Sequence, residues 1–228
     1  MRKARGEVML LPAPAPARLT REQAAASQRG RLLRAMAEMA ADAGYAQTTV
    51  GDVIARAGVS RRTFYEHFTG KQDCFLAAFD AGASILFAAV REAVDPRQPT
   101  WRQVRSALHV YLTLLAGEPK FAKAALVEVY AVGPEAIARR QRLFYRFVEL
   151  FRGMYDGAGR EPGSVLRRPA DLELVVGAIS SAVTMRVAAG EAEALPGLCD
   201  RFTSFVLTSL RDAGPGVAFR PDPSTEGA

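Results

Sequence analysis

Residues 48–71, TTVGDVIARAGVSRRTFYEHFTGK, constrain the fold more than any other part of the sequence. Thr49 can cap a short run whose apolar residues recur at helical spacing. Gly58 can end this helix in the left-handed backbone conformation, and Ser60 can then cap a second short helix. Two short helices joined by a tight glycine turn predict a helix-turn-helix.

The remaining sequence also follows the helical period, and no stretch alternates in the manner of a strand. Thr20 and Gln23 have the spacing of a capping box, which predicts the start of the first helix. A fourth helix is predicted from Lys71 to about Val94. Further helices are predicted at 100–116, 119–131, 134–156, 169–189 and 195–212. The predicted fold class is all-α, with an N-terminal three-helix helix-turn-helix domain followed by a larger helical bundle.

Composition divides the chain into four parts. The ends, 1–18 and 213–228, are rich in Pro, Gly, Ala and charge, and they are predicted to be a disordered arm and a disordered tail. The arm superficially resembles a signal peptide, but its apolar part ends at Pro12, short of the roughly 7 to 15 residues that a signal core needs. Between the ends we place the helix-turn-helix domain at 19–68 and the larger bundle at 69–212.

The net charge is concentrated in the first third of the chain. Residues 1–71 carry 12 Lys and Arg against 6 Asp and Glu, whereas residues 72–228 carry 18 of each kind. The whole formal charge of +6 therefore lies in the N-terminal part, which favours a polyanionic partner. A solvated basic face is the alternative, because arginine is frequent throughout. No apolar run approaches the ~20 residues that cross a bilayer, so no membrane partner is predicted.

Residues typical of enzymes and metal sites are sparse. Cys74 and Cys199 lack the paired spacing of a zinc site, and both are predicted to be reduced core thiols of a cytoplasmic protein. With only His67 and His109 in the chain, acid–base chemistry would depend on isolated carboxylates such as Glu128. The sequence therefore predicts a protein that is not an enzyme, without a cofactor or a metal.

The helix that follows Ser60 has two different sides. Phe64 and Phe68 share one side and can anchor the helix against the two helices before it. Arg61, Arg62 and Tyr65 then lie on the remaining surface. An exposed helix with arginines at its N-terminal end can enter a major groove and read guanine edges.

This stretch resembles the DNA-binding segment of the TetR family of bacterial transcriptional regulators. The resemblance covers roughly residues 20–75 and depends on an ordered set of residues. These are Thr49, Val53-Ile54-Ala55, Ala57-Gly58-Val59-Ser60, Thr63-Phe64-Tyr65, His67-Phe68 and Lys71. In the rest of the chain only the length and the helical layout are similar to the family.

The resemblance implies a set of DNA-contacting residues: Thr49, Arg61, Arg62, Thr63, Tyr65, His67 and Lys71. Arg61 and Arg62 hold the positions that most often meet bases, although the family usually has a small or polar pair there. Thr49 and Lys71 are implied to bind phosphate. For His67 a structural role at the end of a helix is an equal alternative.

Gly70 stands where the family commonly has a capping serine or asparagine. We therefore expect Thr69 to cap the fourth helix in its place. The backbone amides at the starts of the second and fourth helices, near Thr49 and Lys71, are expected to be anion-binding donors.

The resemblance also implies that the larger bundle is an effector-binding and dimerisation domain. A ligand site needs apolar walls and a few convergent polar groups. The polar candidates inside the predicted helices are His109, Glu128, Tyr130 and Arg186, and a core or rim position is the alternative for each.

The last two predicted helices have broad apolar faces. Similar helices form the dimer interface of the TetR family, so the resemblance implies a two-fold homodimer, and a monomeric core completed by these helices is the alternative. The residues of these faces are Leu174, Ala178, Ser181 and Met185 on one helix and Phe202, Phe205, Val206 and Ser209 on the other.

Together these features predict a sequence-specific DNA-binding transcriptional regulator. The expected mode is a repressor that a small-molecule effector releases from a near-palindromic operator. The predicted partners are double-stranded DNA, a second copy of the chain and an unidentified effector. The alternative is a helical protein-interaction module, or a small-molecule-binding protein, with a vestigial DNA head.

Overall fold

The computed structural model describes residues 21–158 and 169–210, and every regular element in these two ranges is helical. The α-helices are α1 (Arg21–Ala43), α2 (Val50–Ala57), α3 (Arg61–His67), α4 (Lys71–Glu92), α5 (Thr100–Gly117), α6 (Pro119–Lys123), α7 (Val129–Val132), α8 (Pro134–Ala158), α9 (Pro169–Ala188) and α10 (Cys199–Ser209). The predicted all-α class is confirmed. The predicted arm, tail and Thr20 cap lie outside the described residues.

Helices α1 to α3, hereafter the head, form the predicted helix-turn-helix. The Thr49 hydroxyl accepts the backbone N–H of Asp52 at 3.2 Å, and the Asp52 carboxylate accepts the N–H of Thr49 at 2.9 Å. Helix α2 ends at Gly58, whose φ of 61° lies in the left-handed region. Ser60 caps α3 by accepting the N–H of Thr63 at 3.0 Å. Each predicted cap of this motif is confirmed.

Two phenylalanines attach α3 to the head. Phe64 is fully buried and Phe68 is 3% exposed. They join a hydrophobic cluster with Leu32 of α1 and Val53 of α2. Burying a phenylalanine stabilises a fold by about 1.5–3 kcal/mol, so these rings fix which side of α3 faces solvent.

Helices α4 to α10, hereafter the body, are built around α4. By length and composition α4 could cross a membrane, which differs from the expectation of no such run. Just over half of its apolar window is buried inside the protein, where α4 packs against α1, α5 and α8. This is the environment of a core helix.

Two predicted helices of the body are interrupted. The predicted helix 119–131 consists of α6, a π-helical turn at Ala124–Glu128 and α7. The predicted helix 195–212 begins as a 3₁₀ helix at Ala192–Leu198, which contains Pro196. Proline lacks an N–H donor, so α10 starts only at Cys199. A π turn adds one residue without changing composition, and helical periodicity does not detect it.

Polar contacts connect the head to the body. The Asp42 carboxylate at the end of α1 accepts from Lys120 of α6 at 2.8 Å and from Arg56 of α2 at 3.1 Å. The carboxylate of Glu128, the last residue of the π turn, accepts the backbone N–H of Tyr45 at 2.9 Å. These contacts join α6 to the end of α1 and the π turn to the loop between α1 and α2.

Both cysteines are buried and unpaired, as the sequence predicts. The thiol of Cys74 lies 3.8 Å from the Leu32 carbonyl oxygen, and burial raises the pKa of Cys74 to about 12. Burial also raises the pKa of Cys199. Thiols of this kind are inert core residues.

Candidate nucleic-acid interface and ligand cavity

The outward side of α3 carries two arginines and a tyrosine. Tyr65 is 51% exposed, and the Arg61 guanidinium lies over its ring at 5.8 Å from the centroid. The Arg62 side chain is 90% exposed and donates to the Glu66 carboxylate at 3.0 Å. Exposed pairs of this kind are worth at most about 1 kcal/mol, so both guanidinium groups remain free to rearrange around a partner. Glu66 is the acidic group that such a partner would displace.

Thr63 and His67 lie at the edges of this surface. Thr63 is half-buried, with its hydroxyl oxygen 2.9 Å from that of Ser60 at the start of α3. His67 is half-buried at the other end, with its ring tilted against Phe68. The structure thus brings Arg61, Arg62, Thr63, Tyr65 and His67 onto one short helix.

The predicted anion site at the start of α2 already holds a carboxylate. The Thr49 hydroxyl donates to Asp52 at 2.7 Å, in addition to the two capping bonds. These hydrogen bonds from Thr49 lower the pKa of Asp52 by stabilising its charged form. A phosphate at Thr49 would have to share these donors with Asp52.

Lys71 lies in a different environment from the one the resemblance implies. Its ammonium group donates to the carbonyl oxygens of Tyr45 at 3.0 Å, Ala46 at 3.2 Å and Thr48 at 2.9 Å. It also lies over the Tyr45 ring at 4.5 Å from the centroid. An ammonium has three N–H groups, and this loop uses all three. Lys71 therefore fixes the loop between α1 and α2.

The expectation that Thr69 caps α4 is wrong. Gly70 is the N-cap residue of α4, and it makes no side-chain cap. The carboxylate of Asp73 reaches back and accepts the Thr69 N–H at 2.9 Å and the Thr69 hydroxyl at 3.2 Å. A carboxylate in the first turn interacts favourably with the positive end of the helix dipole. Helix α4 therefore begins without a hydroxyl cap.

Arg29 of α1 is a cation near this surface that the sequence did not single out. Its guanidinium lies over the Phe68 ring at 5.3 Å from the centroid. Phe68 follows the last residue of α3, so Arg29 adds positive charge beside the end of that helix. Only the tertiary packing of α1 on α3 brings them together.

The body contains an apolar cavity enclosed by α4, α5, α8, α9 and the segment between α5 and α8. Its empty space is about 840 Å³, a volume that includes space open to solvent. Aromatic and aliphatic side chains form most of its wall. They include Phe79, Leu86, Phe121, Phe144 and Phe147.

The few polar residues of the cavity wall are Tyr111, Arg140 and Ser180. Burial raises the pKa of Tyr111 to about 12, and the nearby Arg140 opposes this shift. Tyr111 therefore stays neutral at physiological pH. Arg140 is the one charged residue of the wall among the described residues.

The four predicted effector residues do not line this cavity. His109 is exposed on α5, and Arg186 is exposed and pairs with Glu191 at 2.6 Å. Glu128 binds the head as described above. Tyr130 is 51% exposed, but the Arg140 guanidinium lies over its ring at 5.2 Å from the centroid.

A sequence signal for the cavity residues exists. Arg140 lies on the apolar stripe of α8, four residues before Phe144 and seven before Phe147. Tyr111 likewise follows Leu108 and precedes Leu115 on one face of α5. A polar residue inside an apolar stripe indicates a cavity wall better than a polar residue merely within a helix.

No cluster of three potential metal-ligating side chains occurs within residues 21–158 and 169–210.

Residues 32–78, which contain α2, α3, about half of α1 and the start of α4, match the family model described as bacterial regulatory proteins, tetR family. This match assigns the helix-turn-helix region of the chain to the tetR family. A curated relative is similar over 112 residues with 26% identity: the HTH-type transcriptional activator FasR of Mycolicibacterium smegmatis. This match covers 49% of the present chain and 51% of FasR, so it spans about half the length of the relative.

Two solved structures resemble about four fifths of this chain. The fatty acid degradation regulator FadR from Bacillus halodurans has a TM-score of 0.71 and 18% identity, over 81% of this chain and 96% of that one. The transcriptional regulator FadR from Bacillus subtilis, in complex with stearoyl-CoA, has a TM-score of 0.70 and 18% identity, over 79% and 98%. At this identity the likeness establishes a shared fold.

An apolar stripe runs along the outside of α9. Leu174 and Met185 are each 71% exposed, and Ala178 and Ser181 lie exposed between them. Their spacing of four, three and four residues places them on one face. This stripe has the position and exposure that the sequence predicts for an interface.

On α10 only part of the predicted face is exposed. Phe205 is 42% exposed, whereas Val206 is fully buried. The inclusion of Val206 in an outward face is therefore wrong, because adjacent helical residues lie about 100° apart and Val206 turns inward.

Proposed function

We propose that this tetR-family chain is a sequence-specific DNA-binding transcriptional regulator. The expected mode is a homodimer that represses by occupying a near-palindromic operator, and a small-molecule effector releases it. The observation that carries the proposal is the outward face of α3. Phe64 and Phe68 hold this helix in the core while Arg61, Arg62 and Tyr65 remain accessible.

The size and chemistry of α3 suit a major groove. Its seven residues span about 10 Å, and a B-DNA major groove is about 12 Å wide. Arg61 and Arg62 lie at its N-terminal end, where a recognition helix usually meets bases. We assign guanine contacts to these two residues, and backbone contacts to Thr63, Tyr65 and His67.

Thr49 and Lys71 receive a modified assignment. The resemblance implies phosphate contacts for both, but their donors are already used by Asp52 and by the loop between α1 and α2. We propose that Lys71 positions this loop, and with it the start of α2. At Thr49, a phosphate would then meet the backbone near the start of α2 and not a free hydroxyl group.

The α9 stripe supports the homodimer. Leu174 and Met185 are large apolar side chains that solvent touches over most of their surface. A continuous exposed apolar face of this kind marks an interaction site. A two-fold axis at α9 would pair this face with itself and would present two α3 helices to grooves roughly 34–36 Å apart.

The cavity supports an apolar effector. FadR from Bacillus subtilis is described in complex with stearoyl-CoA, and the cavity of this chain has the apolar wall that an acyl chain requires. Ala125 and Leu126 of the π turn form part of this wall, and Glu128 of the same turn binds Tyr45 of the head. We propose that ligand entry shifts the π turn and thereby the head. Such a regulator acts in the cytoplasm, where bacterial DNA lies.

Selection of binding sites from random duplex DNA tests the regulator. We expect two related half-sites to be enriched, with affinity for the enriched duplex reduced about 10- to 100-fold by Arg61→Ala or Arg62→Ala. Arg97→Ala is the matched control, since Arg97 is an exposed arginine paired with Asp95 outside the head. A protein-interaction module with a vestigial head predicts no enriched sequence.

The assembly is tested separately by size-exclusion chromatography with light scattering. We expect twice the mass of the chain for the wild type and the monomer mass for Met185→Glu. A monomeric wild type would refute the two-fold arrangement. Repetition of the DNA titrations with acyl ligands tests release by ligand, and transcription measured in vitro from the enriched site distinguishes a repressor from an activator.

A further inference from the structure

Arg140 is a cation in the wall of an apolar cavity with no carboxylate beside it. Its guanidinium reaches two hydroxyl oxygens, Ser180 at 3.3 Å and Thr184 at 3.5 Å, both near the limit of a hydrogen bond. Its Nε is buried and has no hydrogen-bond partner. Within the described ranges no ion pair involves Arg140. The remaining contact is the Tyr130 ring.

The adjacent residue provides a comparison within the same helix. Arg139 also has a buried Nε without a partner, but its terminal nitrogens pair with Asp80 and Glu135. Arg139 is not a cavity residue. Arg140 is half-buried, and even partial burial of a guanidinium without an opposite charge has a cost, which the two carboxylates offset for Arg139. The charge of Arg140 lacks this compensation in the protein alone.

The surroundings of Arg140 define what could compensate it. The cavity wall carries no carboxylate among the described residues, and the neutral Tyr111 and Ser180 are its other polar groups. The rest of the wall is aliphatic or aromatic. A ligand that suits both the apolar wall and the charge of Arg140 has an apolar body and one small anionic head. A guanidinium binds a carboxylate through two parallel hydrogen bonds, which suits such a head.

We propose that the effector is an apolar carboxylate of the free fatty acid class, whose head pairs with Arg140 inside the cavity. This rests on the proposed effector site and specifies its ligand chemistry. A CoA thioester has an uncharged carbonyl at the corresponding position. It would leave the Arg140 guanidinium without a counter-ion.

Direct ligand binding to the free protein tests the proposal without DNA. The probes are decanoate, laurate and palmitate, each compared by calorimetry with the primary alcohol and the CoA thioester of the same chain length. We expect the wild type to bind at least one carboxylate about 10- to 100-fold more tightly than its alcohol, as a charged hydrogen bond in a buried site allows. Arg140→Met should remove this preference and retain alcohol binding.

Two variants control for folding and for charge. Arg139→Gln removes a neighbouring guanidinium outside the cavity and should leave the preference unchanged. Arg140→Lys keeps the charge but loses the paired hydrogen bonds, and it should retain part of the preference. Equal binding of carboxylate and alcohol, a preference that survives Arg140→Met, or tighter binding of the CoA thioester would each overturn the inference. Carboxylate binding that leaves DNA affinity unchanged would instead refute only the proposed regulation.

Discussion

The head and the body of this protein differ in how much of their structure is encoded locally. In the head, the helix boundaries depend on capping residues a few positions apart, such as Thr49 with Asp52 and Ser60 with Thr63. In the body, the cavity is formed by residues from helices far apart in the sequence, such as Phe79 and Ile179. Local rules therefore describe the head well, whereas function in the body depends on tertiary packing.

The largest effect is expected from the residue that joins α3 to the head. Phe64→Ala removes a fully buried ring and should lower the free energy of unfolding by about 3–5 kcal/mol, measured by urea denaturation. Trp101→Ala is the control, because Trp101 is 46% exposed and its loss should change stability much less. If the two variants were equally stable, α3 would not be anchored by its phenylalanines.

A glycine tests the packing of the body. An added methyl group at Gly82 of α4 would overlap the Phe121 ring, which belongs to the cavity wall. Gly82→Ala should therefore destabilise the protein by about 1–3 kcal/mol and change ligand affinity. Urea denaturation measures the stability and calorimetry measures the ligand affinity, and a change in ligand affinity would show that the substitution alters the cavity.

The matched control for Gly82→Ala is Gly153→Ala. Gly153 lies in helix α8, and an added methyl group there meets nothing within 4 Å. Alanine is the better helix former, so this variant should be more stable by up to about 1 kcal/mol. A Gly82→Ala protein as stable as Gly153→Ala would mean that α4 and Phe121 are not in close contact.

The sequence predicts the local features of this protein better than the features that depend on packing. Gly58, Ser60 and the phenylalanine spacing of α3 are local signals, and the structure confirms them. The π turn and the burial of Val206 depend on packing that no short pattern specifies. The predicted effector residues are polar side chains within helices, whereas Arg140 is distinguished by its apolar neighbours on the same face.

A substitution at Lys71 distinguishes a structural role in the head from a contact with DNA phosphate. If its ammonium only fixes the loop between α1 and α2, Lys71→Met should lower the free energy of unfolding by about 1–3 kcal/mol. The dependence of DNA affinity on salt should keep its slope. Both quantities can be measured on the same preparation, by denaturation and by DNA titration at several salt concentrations.

Arg62→Met is the opposite case, because the Arg62 side chain is 90% exposed and pairs only with Glu66 among the described residues. The substitution should leave the free energy of unfolding nearly unchanged. If Arg62 contacts a phosphate, the slope of DNA affinity against salt concentration should fall by about 0.9 per protomer. If Arg62 contacts a base, the preference for the enriched sequence should fall instead. A reduced slope for Lys71→Met without loss of stability would restore the phosphate role that the resemblance implies.

The smallest effect concerns two carboxylates, one in each region, that are held by different partners. Hydrogen bonds from Thr49 lower the pKa of Asp52 below its ordinary value of 3.8. Hydrogen bonds from Arg97 lower the pKa of Asp95 to about 2. A lowered pKa in the folded state means that the charged form adds stability above the ordinary pKa, and that this is lost as pH falls through the folded-state pKa.

Asp52→Asn and Asp95→Asn should therefore each be less stable than the wild type at neutral pH, and the difference should shrink below pH 3.8. Thermal unfolding at a series of pH values measures it. Asp52 is exposed and the Asp95 side chain is 34% exposed, so water screens both charges and both differences should be small. Asp52 differs in one respect, because its capping box fixes the start of α2 beside the proposed DNA surface. Asp52→Asn should also change DNA affinity, whereas Asp95→Asn should not. Equal effects of the two variants on DNA affinity would show that the α2 cap has no part in binding.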